Sequence, residues 1–152
     1  MGRSALYGCA LIAFVVLLAI AGCGRKTMVV PPETRIPEPV TDLSYSFTEK
    51  GVELRWSYPQ KTVAGNDLDG MKSFEMWRAE IAVENYCAGC PLPFKKLAKI
   101  KAERSPGLGR DRVVHFMDIS IRPGYYYLYK VRASTGWLGD GGDSNVIQFV
   151  RE

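Results

Sequence analysis

Apolar and polar positions alternate in short runs from residue 40 onward, and each run stops at a turn signal. Val52-Glu53-Leu54-Arg55-Trp56 has a period of two and halts before Pro59. That spacing puts Val52, Leu54 and Trp56 on one side of a strand and the charges on the other. Residues 40–47, 52–56, 74–78, 94–100, 113–117, 127–133 and 145–150 read as seven such segments, with Glu49-Lys50-Gly51 one of the turns between them. The lysines of 94–100 also suit a helix, but no stretch carries a long helical period. The pattern predicts an all-β domain, an antiparallel sandwich of about seven strands.

The first 22 residues follow another pattern. Arg3 is the one charge near the start, and an uncharged apolar stretch then runs from Ala5 to Gly22. A basic start, an apolar centre and a small-residue end describe a secretory signal. Ile20-Ala21-Gly22-Cys23 resembles the lipobox of bacterial lipoproteins. The resemblance implies cleavage before Cys23, a diacylglycerol on its sulfur and an acyl chain on the new amino group. The competing reading is an uncleaved membrane span, for which this stretch is at the short end of the roughly 20 residues a bilayer needs. Gly24 does not resemble the inner-membrane retention signal of Gram-negative lipoproteins, which implies the outer membrane if the source is Gram-negative.

Residues 23–38 then read as a tether, rich in proline at Pro31, Pro32 and Pro37, and the domain as residues 39–152. Prolines this dense favour an extended chain of about 3.1 Å per residue. The tether is either a plain spacer or functional in itself. Cys23-Gly24-Arg25-Lys26 with Pro31-Pro32 weakly resembles the start of small lipoproteins that assist assembly of the lipopolysaccharide translocon. That resemblance implies a helper acting through residues 24–32, although Thr27, Met28, Val29 and Val30 depart from it.

Within the domain, Val52, Leu54, Trp56 and Pro59 resemble the second strand of fibronectin type III domains, members of the immunoglobulin-like sandwiches. Ile121-x-Pro123-Gly124-x-x-Tyr127-x-Tyr129-x-Val131-x-Ala133 resembles their turn and sixth strand. The resemblance implies that Trp56, Tyr127 and Tyr129 are core residues. Tyr127 takes the corner position, its hydroxyl bonded back to nearby backbone. A long insert after the third strand departs from the pattern.

Composition narrows the chemistry. The net charge of +4 is dispersed, with no basic run or stripe, so nucleic acid is not an expected partner. One histidine, His115, sits on an expected strand without a Gly-x-Ser-x-Gly elbow elsewhere, which removes most nucleophilic hydrolysis. Cys87-Ala88-Gly89-Cys90-Pro91 has no histidine for covalent haem and too few ligands for tetrahedral zinc. Outside the cytoplasm the pair Cys87 and Cys90 is expected as a disulfide, with thiol–disulfide exchange as the alternative. No cofactor and no metal is expected: Gly65 stands where a calcium loop would open with aspartate.

One loop invites a partner. Trp137 and Leu138 lie in Thr135-Gly136-Trp137-Leu138-Gly139-Asp140-Gly141-Gly142-Asp143, read as a mobile glycine turn. The apolar pair is either folded back on the sheet or offered outward. In the fibronectin type III arrangement the loop with Asp67 and Asp69 lies at the same end, so Trp137, Leu138, Asp140, Asp143, Asp67 and Asp69 form the candidate binding loops. The tether arrives at that end and the cysteine loop points away. The expected protein is a non-enzymatic, lipid-anchored component of the cell envelope, held to the membrane by acyl chains on Cys23. It docks an envelope protein or a glycan through these loops.

Overall fold

The computed structural model describes residue 33 and residues 35–68, 70–102, 112–137 and 139–152. The signal, Cys23, the tether up to residue 32, Asp69 and Leu138 lie outside the described residues. Eight strands occur: β1 (Ser44–Thr48), β2 (Gly51–Ser57), β3 (Ser73–Ala82), β4 (Lys95–Lys101), β5 (Val113–Asp118), β6 (Tyr125–Ser134), β7 (Asp140–Asp143) and β8 (Ile147–Arg151). They form two antiparallel sheets, β1-β2-β5 and β4-β3-β6, with β7 and β8 both pairing β6.

The core is what the period of two selects. Val52, Leu54 and Trp56 from β2 meet Phe74 and Met76 from β3 and Tyr127, Tyr129 and Val131 from β6, all at most 1% exposed. Trp56 and Phe74 pack edge to face at 5.6 Å, the geometry an aromatic quadrupole favours. The Tyr127 hydroxyl accepts a hydrogen bond from the Arg122 backbone N–H at 2.9 Å. That bond fixes the approach of the chain into β6.

Three features differ from the expected strands. The first strand begins at Ser44, although Val40 and Leu43 are buried. The Asn145 side chain takes both the N–H and the C=O of Leu43, at 3.0 and 2.8 Å, so residues 40–43 are tied to the opposite sheet instead of to a strand. The third and sixth strands are longer than expected, ten residues each, and together make the longest ladder in the molecule. The last strand comes in two pieces, β7 and β8. Between them Ser144 bridges the gap, its Oγ accepting from the Val131 N–H at 2.9 Å. Seven strand positions with the last one interrupted give the eight segments.

The second part of the stretch expected as a mobile glycine turn, Asp140–Asp143, is therefore strand. Gly141 lies so close to the backbone of Pro37 that a Cβ there would sit 2.8 Å from its carbonyl oxygen. Glycine is used here for close approach.

Gly51 makes a similar demand on the other sheet. A Cβ at Gly51 would run into the Asp118 carbonyl and the backbone of Ile119. Gly51→Ala forces β2 and β5 apart at their register end and is expected to cost about 2 kcal/mol, in the usual range for overpacking. The midpoint of urea unfolding measures it.

Candidate functional site

Register decides which loops share an end. β3 starts at Ser73 opposite Ser134 and finishes at Ala82 opposite Tyr125. The loops 58–72 and 135–139 therefore lie together, and the loop 83–94 lies at the far end. The described part of the segment before β1 reaches the first end. Pro37 pairs with Thr62. Glu38 N–H donates to the Lys61 carbonyl at 3.0 Å and Val63 N–H to that of Ile36 at 2.9 Å. Thr135 Oγ1 donates to the carbonyl of Arg35 at 2.9 Å. Residues 35–38, expected within the free tether, are thus clamped between the two loops, with Pro37 fully buried. The clamp arises because proline supplies no N–H and can be buried without leaving a donor unsatisfied.

Trp137 stands on this braced end at 90% exposure, more than any other large apolar side chain among the described residues. It is offered outward and not folded back. Val63, also at this end, is 48% exposed. Asp67 is exposed beside Lys61 in a short bridge. Asp140 accepts a hydrogen bond from Ser134 Oγ. Asp143 does not belong with them. It sits on β7 and pairs with Lys130 and Arg132, each at 2.7 Å. Burial would raise its carboxyl, but the bonds from these two cations hold it below the usual carboxylate range. Its carboxylate is already committed on the outer face of the sheet. There Arg132 and Lys96 lie 5.8 and 5.5 Å from the Trp77 ring, a cation–aromatic cluster within a sheet surface.

At the far end Cys87 and Cys90 are joined by a disulfide in an exposed loop. A single 3-10 turn, Val83–Asn85, precedes it and extended chain follows. Neither sulfur therefore lies at the start of an α-helix, the setting that lowers a thiol pKa. Tyr86 stacks on Tyr126 at 4.2 Å and holds the loop against β6. His115 is exposed on β5, and among the described residues its polar partner is Glu53, 3.1 Å away. No group of three or more His, Cys, Asp or Glu among the described residues is placed to hold a metal.

The densest ionisable cluster was not foreseen. Asp118, 4% exposed, accepts hydrogen bonds from Tyr129 Oη at 2.8 Å, Arg78 at 2.8 Å, and both the backbone and Oγ of Ser120. Arg78 also reaches Glu80, which in turn holds Arg122 at 2.7 Å. One signal was present in the sequence: the period of two puts Arg78 on the same inward face as Phe74 and Met76, and a cation facing a core needs a partner. Burial pushes the Asp118 carboxyl up, but the Ser120, Tyr129 and Arg78 bonds outweigh it and keep the group below its usual range. Burial, and then the bond to Asp118, raises the Tyr129 phenol. The cluster ties β3 and β6 of one sheet to the end of β5 in the other, a brace between sheets. An open cleft of about 470 Å³ lies alongside, lined by Arg78, Glu80, Lys95, Lys96 and Arg122.

No protein-family model matches the chain, and no curated protein matches it. Solved structures do. The third fibronectin III domain of human KIAA0343 protein aligns at a TM-score of 0.51 with 13% identity, covering 87% of this chain and 94% of that one. A Fn3-like protein from Clostridium thermocellum aligns at 0.44 with 18% identity, covering 76% and 94%. The twitchin kinase region from C. elegans aligns at 0.49 with 14% identity, and this chain spans only 17% of it.

The fold is fibronectin type III-like. In that arrangement β1, β2 and β5 make one sheet and β4, β3, β6 and the split last strand the other. Tyr127 occupies the corner position.

Asp118 gives a pH test of this fibronectin type III-like domain. A carboxyl whose pKa is depressed by folding contributes stability above its unfolded value, about 3.9. That contribution is lost as pH falls through the lower, folded value. Acid unfolding is expected to steepen below about pH 4. Asp118→Asn removes one of the two carboxylates paired with Arg78 and leaves Glu80 as the other; it is expected to cost about 1–3 kcal/mol at pH 7, and flattens that acid limb. Thermal unfolding followed from about pH 2.5 to 7 reads both effects.

Proposed function

We propose that this protein is a non-catalytic interaction module of the cell envelope, lipid-anchored through Cys23, that docks a protein or glycan partner through the loop end carrying Trp137. One observation carries the docking part: an indole at 90% exposure on loops that are themselves braced by residues 35–38. A large apolar group held out on a rigid support loses little conformational freedom on binding, which is the property of an interface anchor. The lipobox Ile20-Ala21-Gly22-Cys23 supports the anchoring part. Each acyl methylene buried in a bilayer contributes about 0.8 kcal/mol, and two or more chains give stable attachment.

The fold supports a binding role over a catalytic one. Loop clusters at the ends of sandwich domains commonly hold binding residues, and the buried carboxylate Asp118 is engaged by Arg78, Tyr129 and Ser120.

Photo-crosslinking in living cells from a probe placed at Gly136 tests the docking surface. Trp137→Ala with Leu138→Ala is expected to lower the partner's crosslink yield at limiting concentration by roughly thirty-fold, the equivalent of an anchor of about 2 kcal/mol. An unchanged set of crosslinked envelope partners removes this loop from the interface. Cys23→Ala is expected to remove the acyl chains and leave residues 1–22 uncleaved, and the intact mass of the purified chain, parent and variant, shows whether residue 23 carries lipid. Replacing residues 24–32 with a Gly/Ser spacer leaves binding intact on this reading and abolishes function if those residues act as an assembly helper.

A further inference from the structure

The sheet edges of this domain are unequal. β4 is one edge of its sheet, opposite the split β7 and β8, and reads Lys95-Lys96-Leu97-Ala98-Lys99-Ile100-Lys101. Lysine along an edge keeps other strands from pairing with it. β1 is a free edge of the other sheet and reads Ser44-Tyr45-Ser46-Phe47-Thr48. It has no charge, no proline and no glycine, and its register with β2 runs without a bulge.

Its backbone also has groups to spare. Leu43 sends both its N–H and its C=O away from β2 into the Asn145 side chain. Along a strand these directions alternate, so Tyr45 and Phe47 point theirs the same way. Among the described residues nothing receives them. Beside this edge the Tyr45 and Phe47 rings are 40% and 47% exposed, packed on Phe149 at 4.8 and 5.1 Å.

We infer that β1 pairs with β1 of a second copy of this chain, antiparallel about a two-fold axis at Ser46, to give a continuous six-stranded sheet. The strand's own sequence fits this register. Tyr45 falls opposite Phe47 in both directions, so the backbone groups left free are those that bond. Just beyond the strand the same register brings Asp42 of each copy, whose carboxylate also accepts the Ser57 N–H of its own chain at 3.1 Å, level with Lys50 of the other. β4 paired this way would set lysine against lysine. An isologous contact needs such self-complementarity, and an unrelated strand would have to supply it separately. Five residues per strand make a small interface, so the dimer is expected to be concentration-dependent. The pairing goes beyond the loop-end reading and does not depend on it. It leaves the two loop ends free at opposite ends of the dimer.

Ser46 faces solvent and tests the pairing without touching the core. Across the two-fold it forms a non-hydrogen-bonded pair with itself, with Cα atoms about 4.5 Å apart, inside the range of roughly 4.4–6.8 Å that a disulfide spans. Full-length chain carrying Ser46→Cys, purified in detergent and oxidised, is expected to run mostly at twice its monomer mass on a non-reducing gel. Lys99→Cys on β4 stays monomeric, and the parent chain run alongside accounts for any link through Cys23. Ser46→Lys places like charges face to face and is expected to weaken dimerisation at least tenfold by sedimentation equilibrium, with the circular dichroism unchanged. A monomeric Ser46→Cys chain overturns the proposal. So does a disulfide from the Ser46→Cys chain to a different protein, or an association that Ser46→Lys leaves untouched.

Discussion

The position of one sheet over the other depends on a charge in an awkward place. Arg78 follows Phe74 and Met76 on the inward face of β3, where the next apolar residue would be expected. An isolated buried cation is too costly to keep. The fold keeps it by delivering Asp118 from the end of β5, on the opposite sheet, to 2.8 Å. Tyr129 and Ser120 take up the remaining capacity of that carboxylate. Such a network adds less net stability than an apolar core of equal volume, but removing one member is expensive. Its geometric consequence is larger. Because donors and acceptors come from both sheets, only one relative placement satisfies them all, and that placement sets where the loops at either end are held.

The opposite end is fixed by different means. Among the described residues no ion pair organises the loops around Trp137. Backbone hydrogen bonds and small residues do. Residues 35–38 thread between loops 58–72 and 135–139, and Gly139 and Gly141 let the chain pass within contact of the Arg35 and Pro37 backbones. A larger residue at Gly141 would push the segment out. The consequence for function is that an exposed indole rests on a stiff base, whose rigidity comes from a segment that sequence patterning assigns to the tether.

Alternating patterns made the sandwich legible. Val52, Leu54 and Trp56, with Tyr127, Tyr129 and Val131, reveal both buried faces, because burial on one side of a strand imposes a period of two. The corner bond of Tyr127 was legible by resemblance. Features that depend on contacts distant in sequence were not. Asp140–Asp143 looks like a loop locally because glycine signals turns, yet the glycines serve close approach to a segment some hundred residues earlier. Asp143 was grouped with the loop aspartates from its position in the chain, while its partners Lys130 and Arg132 are set by the register with β6. Asp118 carried no local signal, since its need was created by Arg78 on another strand.

Surface chemistry then divides along the same lines as the fold. Three carboxylates are held within the fold: Asp118 by the inter-sheet brace, Glu80 by two arginines, Asp143 by Lys130 and Arg132. The domain holds these three groups in fixed geometry. Its unsatisfied capacity lies elsewhere, in an exposed indole at one end and in the unpaired backbone of an uncharged edge strand at the side. Both are resources for association. The β1 strand itself carries no lysine, whereas β4, with four lysines in seven residues, is protected against pairing. A sequence that guards one edge and leaves another bare distinguishes the two edges by charge, and strand addition is what that difference controls.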